Sequence, residues 1–237
     1  MIKILCLLFL SVKSFATSIY HPHVTIAAKT VNKGSFSYQL APGASVTHNV
    51  FINSLSYGVF ESLEIGTIPI FYFDKIHRYN YNFKYNFYKS NNLSLSVGFS
   101  SISFDLSKEY SIVDNPPTDY KINFISFSMN YDIPKTTYYT GFTFNRVSSY
   151  ANKSAFLNTY EVNDEWAIDI GKKINNKYSL TLGVGEHKIG ITRPKNSFGV
   201  GASLILTKKF SYFSNLAIGI QYLTDEKSAL YLFSADL

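Results

Sequence analysis

The stretch from His77 to Tyr88 reads HRYNYNFKYNFY and alternates strictly between polar and aromatic side chains. Side chains of a β-strand point to opposite faces with a period of two, so one face of this stretch is aromatic and the other is polar. A soluble sheet would bury the aromatic face in a core. Here the same alternation returns in strand after strand, which is typical of a barrel with lipid outside and polar side chains or water inside.

Twelve candidate strands follow from this pattern, with ten as the alternative count. They cover residues 35–40, 46–55, 62–72, 76–88, 93–100, 120–132, 136–147, 161–173, 178–186, 198–206, 213–223 and 229–237. The second and third form a hairpin whose turn is predicted at Tyr57–Glu61. Most of them are long enough to cross a bilayer at a tilt near 40°. The sequence therefore predicts an all-β fold, an antiparallel transmembrane up-and-down β-barrel.

The amino terminus reads MIKILCLLFLSVKSFA, with a basic residue, a short apolar run and a small-x-small site that ends at Ala16. This is the pattern of a secretory signal peptide, because the apolar run is far shorter than the roughly 20 residues of a membrane-spanning helix. Three segments follow: a signal peptide over 1–16, a leader over 17–33 and a barrel over 34–237. The leader is compatible with a strand, an interior plug or a periplasmic tail.

Composition narrows the class of protein further. Charged residues make up 16% and aromatic residues 17% of the chain, whereas an average globular protein has about 25% charged residues. The formal charge of +6 becomes +4 once Lys3 and Lys13 leave with the signal peptide, which carries no acid. The basic residues are scattered, which argues against nucleic acid as a partner. The only cysteine, Cys6, lies in the signal peptide, so the mature chain has no disulfide.

The connections alternate in length along the chain. Short ones occur at 89–92, 133–135, 175–177 and 208–212, and long polar ones at 105–119, 148–160 and 187–197. Short turns on the periplasmic side and long loops outside are the usual arrangement of bacterial barrels. Tyrosines cluster at both ends of the strands, as expected of the two aromatic girdles at the membrane surfaces.

Two stretches carry a family resemblance. The terminal ALYLFSADL, residues 229–237, resembles the carboxyl-terminal assembly signal of Gram-negative outer-membrane β-barrels, although it ends in Leu237 where Phe or Trp is usual. The stretch LSYGVFESLEIGTIPIF, residues 55–71, is similar to a hairpin of that class. The resemblance implies an outer-membrane location, contact with lipid and lipopolysaccharide, and recognition by the barrel-assembly machinery through Ala229, Tyr231, Phe233 and Leu237. A monomer is expected.

Catalytic and metal-binding patterns are weak. His187 lies at the outer end of its strand, where similar lipid hydrolases place a base, yet no surrounding motif supplies a nucleophile and an orienting group. Possible rim carboxylates for a protease-type site or a divalent cation are Asp105, Asp114, Asp119, Asp164 and Glu165. Their spacing matches no dedicated calcium loop. His21 and His23 form at most a weak metal-binding tail. The sequence predicts no cofactor and no enzyme.

Interior charges offer the most specific functional hypothesis. Alternation places six charged side chains toward the lumen: Glu64, Arg78, Lys84, Asp132, Asp169 and Lys173. If these line an open lumen, the protein is a narrow passive channel for small solutes or ions, and Arg78 and Lys84 are the expected selectivity charges. If they pair with one another, they close a structural or adhesive barrel, because buried charges need partners. A lipid hydrolase at the rim is the remaining alternative.

Overall fold

A computed structural model describes residues 28–44, 49–105, 119–152, 159–175, 178–189, 195–206, 214–223 and 228–236. The predicted signal peptide and the first part of the leader lie outside these residues. The described strands are β1 Phe36–Ala44, β2 Asn49–Phe60, β3 Leu63–Thr67, β4 His77–Lys89, β5 Leu93–Asp105, β6 Asp119–Asp132, β7 Tyr138–Asn152, β8 Thr159–Lys173, β9 Tyr178–Ile189, β10 Lys195–Leu206, β11 Ser214–Leu223 and β12 Ser228–Asp236.

Each strand pairs with its neighbours in the chain, and β1 pairs with β12, so the sheet closes into a barrel. All pairings between strands are antiparallel, which confirms the predicted all-β antiparallel barrel, and the described residues form twelve strands. Closure removes the sheet edges, and only a closed sheet can satisfy its backbone in lipid. Among the described residues, no helix is long and apolar enough to span a membrane.

The two faces of β4 differ in exposure as the alternation predicts. Tyr81 is 43% exposed on the outer face, whereas the neighbouring Asn80 is 3% exposed on the inner face. The outer rings stack along the strand, with 5.8 Å between the ring centres of Tyr79 and Tyr81 and 6.4 Å between those of Tyr81 and Phe83. Similar apolar side chains cover the outer face of β8 and β9. The barrel thus presents its large hydrophobic residues outward, where a soluble protein would bury them.

The hairpin between β2 and β3 differs from the prediction in where it turns. Tyr57 and Gly58 lie inside β2, paired with Ile65 and Glu64, and the turn is at Glu61 and Ser62. The prediction of a turn at Tyr57–Glu61 is therefore wrong. At Gly58 another segment of the backbone approaches β2 closely from inside the barrel, and a glycine in a strand often marks such an approach.

The third predicted strand is also shorter than expected. β3 ends at Thr67, and a 3₁₀ helix covers Pro69–Phe73 in place of the predicted strand to Tyr72. Pro69 lacks the N–H that a ladder needs, which stops the strand. The Asn80 side chain then replaces the missing strand partner: the Ile68 N–H donates to its Oδ1 at 2.5 Å and its Nδ2 donates to the Ile68 carbonyl at 3.2 Å.

The barrel has two distinct ends. We call the end at which β2, β4, β6, β8 and β10 finish the turn end, and the opposite one the loop end. The start of β1 and the end of β12 meet at the turn end, where Ser37 pairs with Asp236. In barrels of this architecture such an end faces the periplasm. Exposed tyrosines mark both ends, with Tyr88, Tyr138 and Tyr178 near the turn end and Tyr79 and Tyr150 near the loop end.

Candidate functional site

Residues 28–35, which join the end of the predicted leader to β1, run along the inner face of the barrel near the turn end; we call them the inner segment. Ala28 is fully buried and Val31 is 1% exposed. The Ala28 N–H donates to Asn130 Oδ1 on β6 at 2.6 Å, and Asn86 Nδ2 on β4 donates to the Ala28 carbonyl at 2.8 Å. Two inward amide side chains therefore satisfy both backbone groups of one residue, as a strand neighbour would.

A buried ion pair holds the middle of the inner segment. Glu64 on β3 and Lys84 on β4 lie directly opposite each other, with 3.1 Å between Lys84 Nζ and Glu64 Oε2. The same Glu64 oxygen accepts the Val31 N–H at 3.0 Å. Both side chains are almost completely buried, so each charge depends on the other for compensation. These two sequence-predicted lumen residues thus neutralise each other beneath the inner segment.

Gly58 on β2 receives the end of the inner segment. The Gly34 N–H donates to the Gly58 carbonyl at 2.8 Å, and the Gly58 N–H donates to the Ser35 carbonyl at 3.0 Å. A Cβ atom at position 58 would collide with the carbonyl oxygens of Val31 and Asn32. Only glycine allows the two backbones to approach this closely, and this contact explains a glycine in the middle of a strand.

The contacts of the inner segment follow the wall rather than cross the lumen. They run from β6 through β4 and β3 to β2, so the segment covers the inner face of one side of the barrel. The sequence carries one signal of this arrangement, namely the inward amides of Asn86 and Asn130 and the glycine in the middle of β2. Alternation alone does not reveal it, because the segment belongs to no ladder of the barrel.

The inner face of β7, β8 and β9 carries a different set of side chains. Tyr139 extends over Gly171, where a Cβ atom would collide with its ring, and the Tyr139 hydroxyl lies 2.6 Å from Thr181 Oγ1. Asp169 is 1% exposed and lies opposite Gly141 and Gly183 on the two neighbouring strands. The glycines make room for the larger Tyr139 and for the Asp169 carboxylate, and the inner face here is closely covered.

A cavity of about 650 Å³ opens beside the inner segment at the turn end. Lys173 lies at its wall and forms an ion pair with Asp132, with 2.8 Å between Lys173 Nζ and Asp132 Oδ1. These are two further lumen residues predicted from the sequence. The lining also includes Lys29 of the inner segment, Lys89 at the end of β4, and Tyr139.

Arg78 occupies a different environment from the other predicted lumen residues. His77 pairs with Phe104 and Tyr79 with Ser103, so a β-bulge leaves Arg78 without an opposite residue. Its guanidinium lies 3.3 Å from Asp105 and 2.6 Å from Asp119 at the loop end. Two carboxylates therefore surround the cation that the sequence proposed as a free lumen charge.

The structure disperses the carboxylates considered for catalysis. Asp105 and Asp119 bind Arg78, and Asp164 forms two hydrogen bonds with Arg146, at 2.8 and 3.0 Å. Within the described part of the chain, no three His, Cys, Asp or Glu side chains are grouped as metal ligands. His187 lies on β9, but its side chain is not among those that the structure describes. Asp114, His21 and His23 lie outside the described residues.

Comparisons with known proteins bear on the fold. No family model matches the chain, and no curated protein matches its sequence. The NanC porin matches in structure with a TM-score of 0.51 and 8% identity over 84% of this chain and 98% of that one. The KdgM porin in complex with disordered oligogalacturonate matches with a TM-score of 0.49 and 8% identity over 85% of this chain and 97% of that one. OmpT of Vibrio cholerae matches with a TM-score of 0.44 and 10% identity over 85% of this chain and 95% of that one.

At such low identity these likenesses show the fold alone. The match to the NanC porin, together with the apolar outer face, places the chain in the class of outer-membrane β-barrels, as the sequence predicted. The expected recognition of β12 by the assembly machinery stays a prediction, because the side chains of Ala229, Tyr231 and Phe233 lie outside the description and Leu237 lies beyond β12.

Proposed function

We propose that the protein is a narrow passive channel for small polar solutes or ions across the outer membrane. The observation that carries the proposal is the cavity of about 650 Å³ at the turn end, lined by Lys29, Lys89, Asn130 and Ser179 among others. Inward side chains deeper in the barrel, such as Thr143, Asp169 and Thr181, are polar although each is at most 1% exposed. A polar rather than apolar interior supports a path for water and polar solutes.

The inner segment is the reason to expect a narrow channel. It occupies part of the lumen near the turn end and is held by hydrogen bonds from three strands. Twelve strands enclose less space than the sixteen or more of wide porins, so an additional layer of backbone restricts the bore further. Solutes of modest size are therefore the expected cargo.

Single-channel recording tests this function. We expect the refolded mature protein to give discrete openings of small, reproducible conductance in a planar bilayer. Insertion is checked independently, by the resistance of the folded barrel to protease and by its gel mobility before and after heating. Protein that is inserted and folded but electrically silent would refute the channel and favour the closed structural barrel.

A paired variant links any conductance to this lumen. Asn86→Ala with Asn130→Ala removes the two amides that hold Ala28, and we expect a larger conductance because the inner segment is released from the wall. Asn123→Ala is the control, since Asn123 bonds to Ser101 at a different place on the barrel and does not contact the inner segment. An unchanged conductance in the double variant would show that the inner segment does not limit the bore.

A further inference from the structure

Charge is distributed unevenly around the cavity at the turn end. Three lysines line it, namely Lys29 from the inner segment, Lys89 from the end of β4 and Lys173 from the end of β8, and Asp132 is the only acid among the lining residues. Asp132 is bound to Lys173. Neither Lys29 nor Lys89 forms an ion pair within the described residues, so the cavity has an excess of positive charge.

Elsewhere in the barrel, the two cations that alternation suggested for selectivity are paired with carboxylates. At the loop end the described cation Arg78 is surrounded by two carboxylates, and Arg146 is bound by a third. Within the barrel wall, Lys84 is neutralised by Glu64. Lys29 and Lys89 of the cavity thus have no carboxylate partner among the described residues, whereas Arg78 and Lys84 are both compensated.

A buried hydrogen-bond donor, the side-chain amide of Asn130, also indicates a ligand in this cavity. Asn130 uses its Oδ1 to accept the Ala28 N–H, while its Nδ2 is buried and has no hydrogen-bond partner among the described residues. Asn130 lines the cavity together with Ser90, Asn91, Asn92 and Ser179. Amides and hydroxyls beside ammonium groups match a solute that carries both hydroxyls and a negative charge.

From this arrangement we propose that the cavity is a binding site for a small hydroxylated organic anion, with Lys29, Lys89 and Lys173 as the residues that attract it. A cavity of about 650 Å³ has the size of a typical small-molecule site. Because the inner segment supplies Lys29, the same element that narrows the lumen also adds charge to the site. The inference deepens the proposed channel function, since it names the class of solute that the channel favours.

Equilibrium binding tests the site without any need for conduction. Calorimetry on the folded, detergent-solubilised protein uses gluconate as the anion and sorbitol, its uncharged relative, as the control solute. We expect gluconate to bind and sorbitol not to, and we expect Lys29→Gln with Lys89→Gln and Lys173→Gln to weaken gluconate binding at least tenfold. Equal binding of the two solutes, no binding of gluconate, or full binding by the triple variant would overturn the proposal.

Matched variants separate the cavity from charge in general. Lys172 is the neighbour of Lys173 on the opposite face, where its Nζ lies 5.4 Å from the centre of the Tyr138 ring. Lys172→Gln is expected to leave gluconate binding unchanged, and Asp132→Asn is expected to strengthen it severalfold. If Lys172→Gln weakens binding as much as Lys173→Gln does, the effect belongs to the net charge of the protein and the site is refuted.

Reversal potentials connect the site to permeation. In a salt gradient the wild type is expected to favour chloride over potassium, and the triple variant is expected to lose that preference. A cation-selective wild type, or a triple variant with unchanged selectivity, would contradict the inference while leaving a channel in place. An electrically silent protein that still binds gluconate would refute the channel and keep the site.

Discussion

The two sides of the barrel interior satisfy their inward polar groups in different ways. On the side of β2 to β6, inward polar groups are satisfied by a second layer of backbone, the inner segment, which binds Asn86, Asn130 and Glu64. On the side of β7 to β9, inward groups bind one another directly, as Tyr139 on β7 does with Thr181 on β9 across β8. Both arrangements bury the inward groups, but only the first needs an additional segment of backbone.

The largest stability effect is expected from Lys84 on the covered side. Lys84→Met leaves the Glu64 carboxylate buried without its cation, and breaking a buried pair in this way costs about 3–5 kcal/mol. Urea unfolding of the barrel in detergent measures the loss. The matched Lys172→Met variant, on the outer face, is expected to change stability by much less.

The double variant Glu64→Gln with Lys84→Met sharpens this comparison. Gln keeps an oxygen for the Val31 N–H and removes the uncompensated charge, so the double variant is expected to be more stable than Lys84→Met alone. If the two variants unfold at the same urea concentration, the buried pair does not hold the inner segment in the way described.

An intermediate effect is expected from Gly58→Ala. The new methyl group meets the backbone carbonyls of Val31 and Asn32, which cannot move aside as a flexible side chain can, so the inner segment is displaced. We expect a larger single-channel conductance and faster proteolysis within residues 28–35. Gly98→Ala is the control, because there the added Cβ meets only the Ser126 hydroxyl, which can rotate. Equal conductance in the two variants would argue against a close fit at Gly58.

The smallest effect is expected on the side of β7 to β9. Tyr139→Phe removes the hydroxyl that bonds to Thr181 and leaves the ring over Gly171, so it is expected to cost about 1 kcal/mol. Tyr138→Phe provides the comparison on the outer face of the same strand. A loss of several kcal/mol from Tyr139→Phe, measured by the same urea unfolding, would show that the side of β7 to β9 is as tightly coupled as the side of β2 to β6.

Several structural features follow from local patterns in the sequence. Alternation in His77–Tyr88 identifies both faces of β4, and the same rule identifies the other strands, because the period of two is a property of the extended backbone. The class of outer-membrane barrel follows from that alternation repeated along the chain. Counting the repeats gives twelve strands, with ten as the alternative.

Other features depend on partners that are distant in the chain. Sequence alternation names Glu64, Arg78 and Lys84 as inward charges, yet it does not say that Glu64 and Lys84 neutralise each other or that a bulge directs Arg78 to Asp105 and Asp119. It also reads Gly58 as part of a turn. Each of these outcomes is set by contacts between residues of different strands, which local patterns do not encode.

The sequence by itself determined the membrane-facing surface, the closed antiparallel architecture and the two unlike ends, since these depend on side-chain type and local spacing. Only the tertiary structure decided which charges are compensated, where residues 28–35 lie, and which lysines meet at one cavity. The physical reason is that burial and electrostatic compensation are pairwise properties. They exist only once strands far apart in sequence have been brought together by the closure of the barrel.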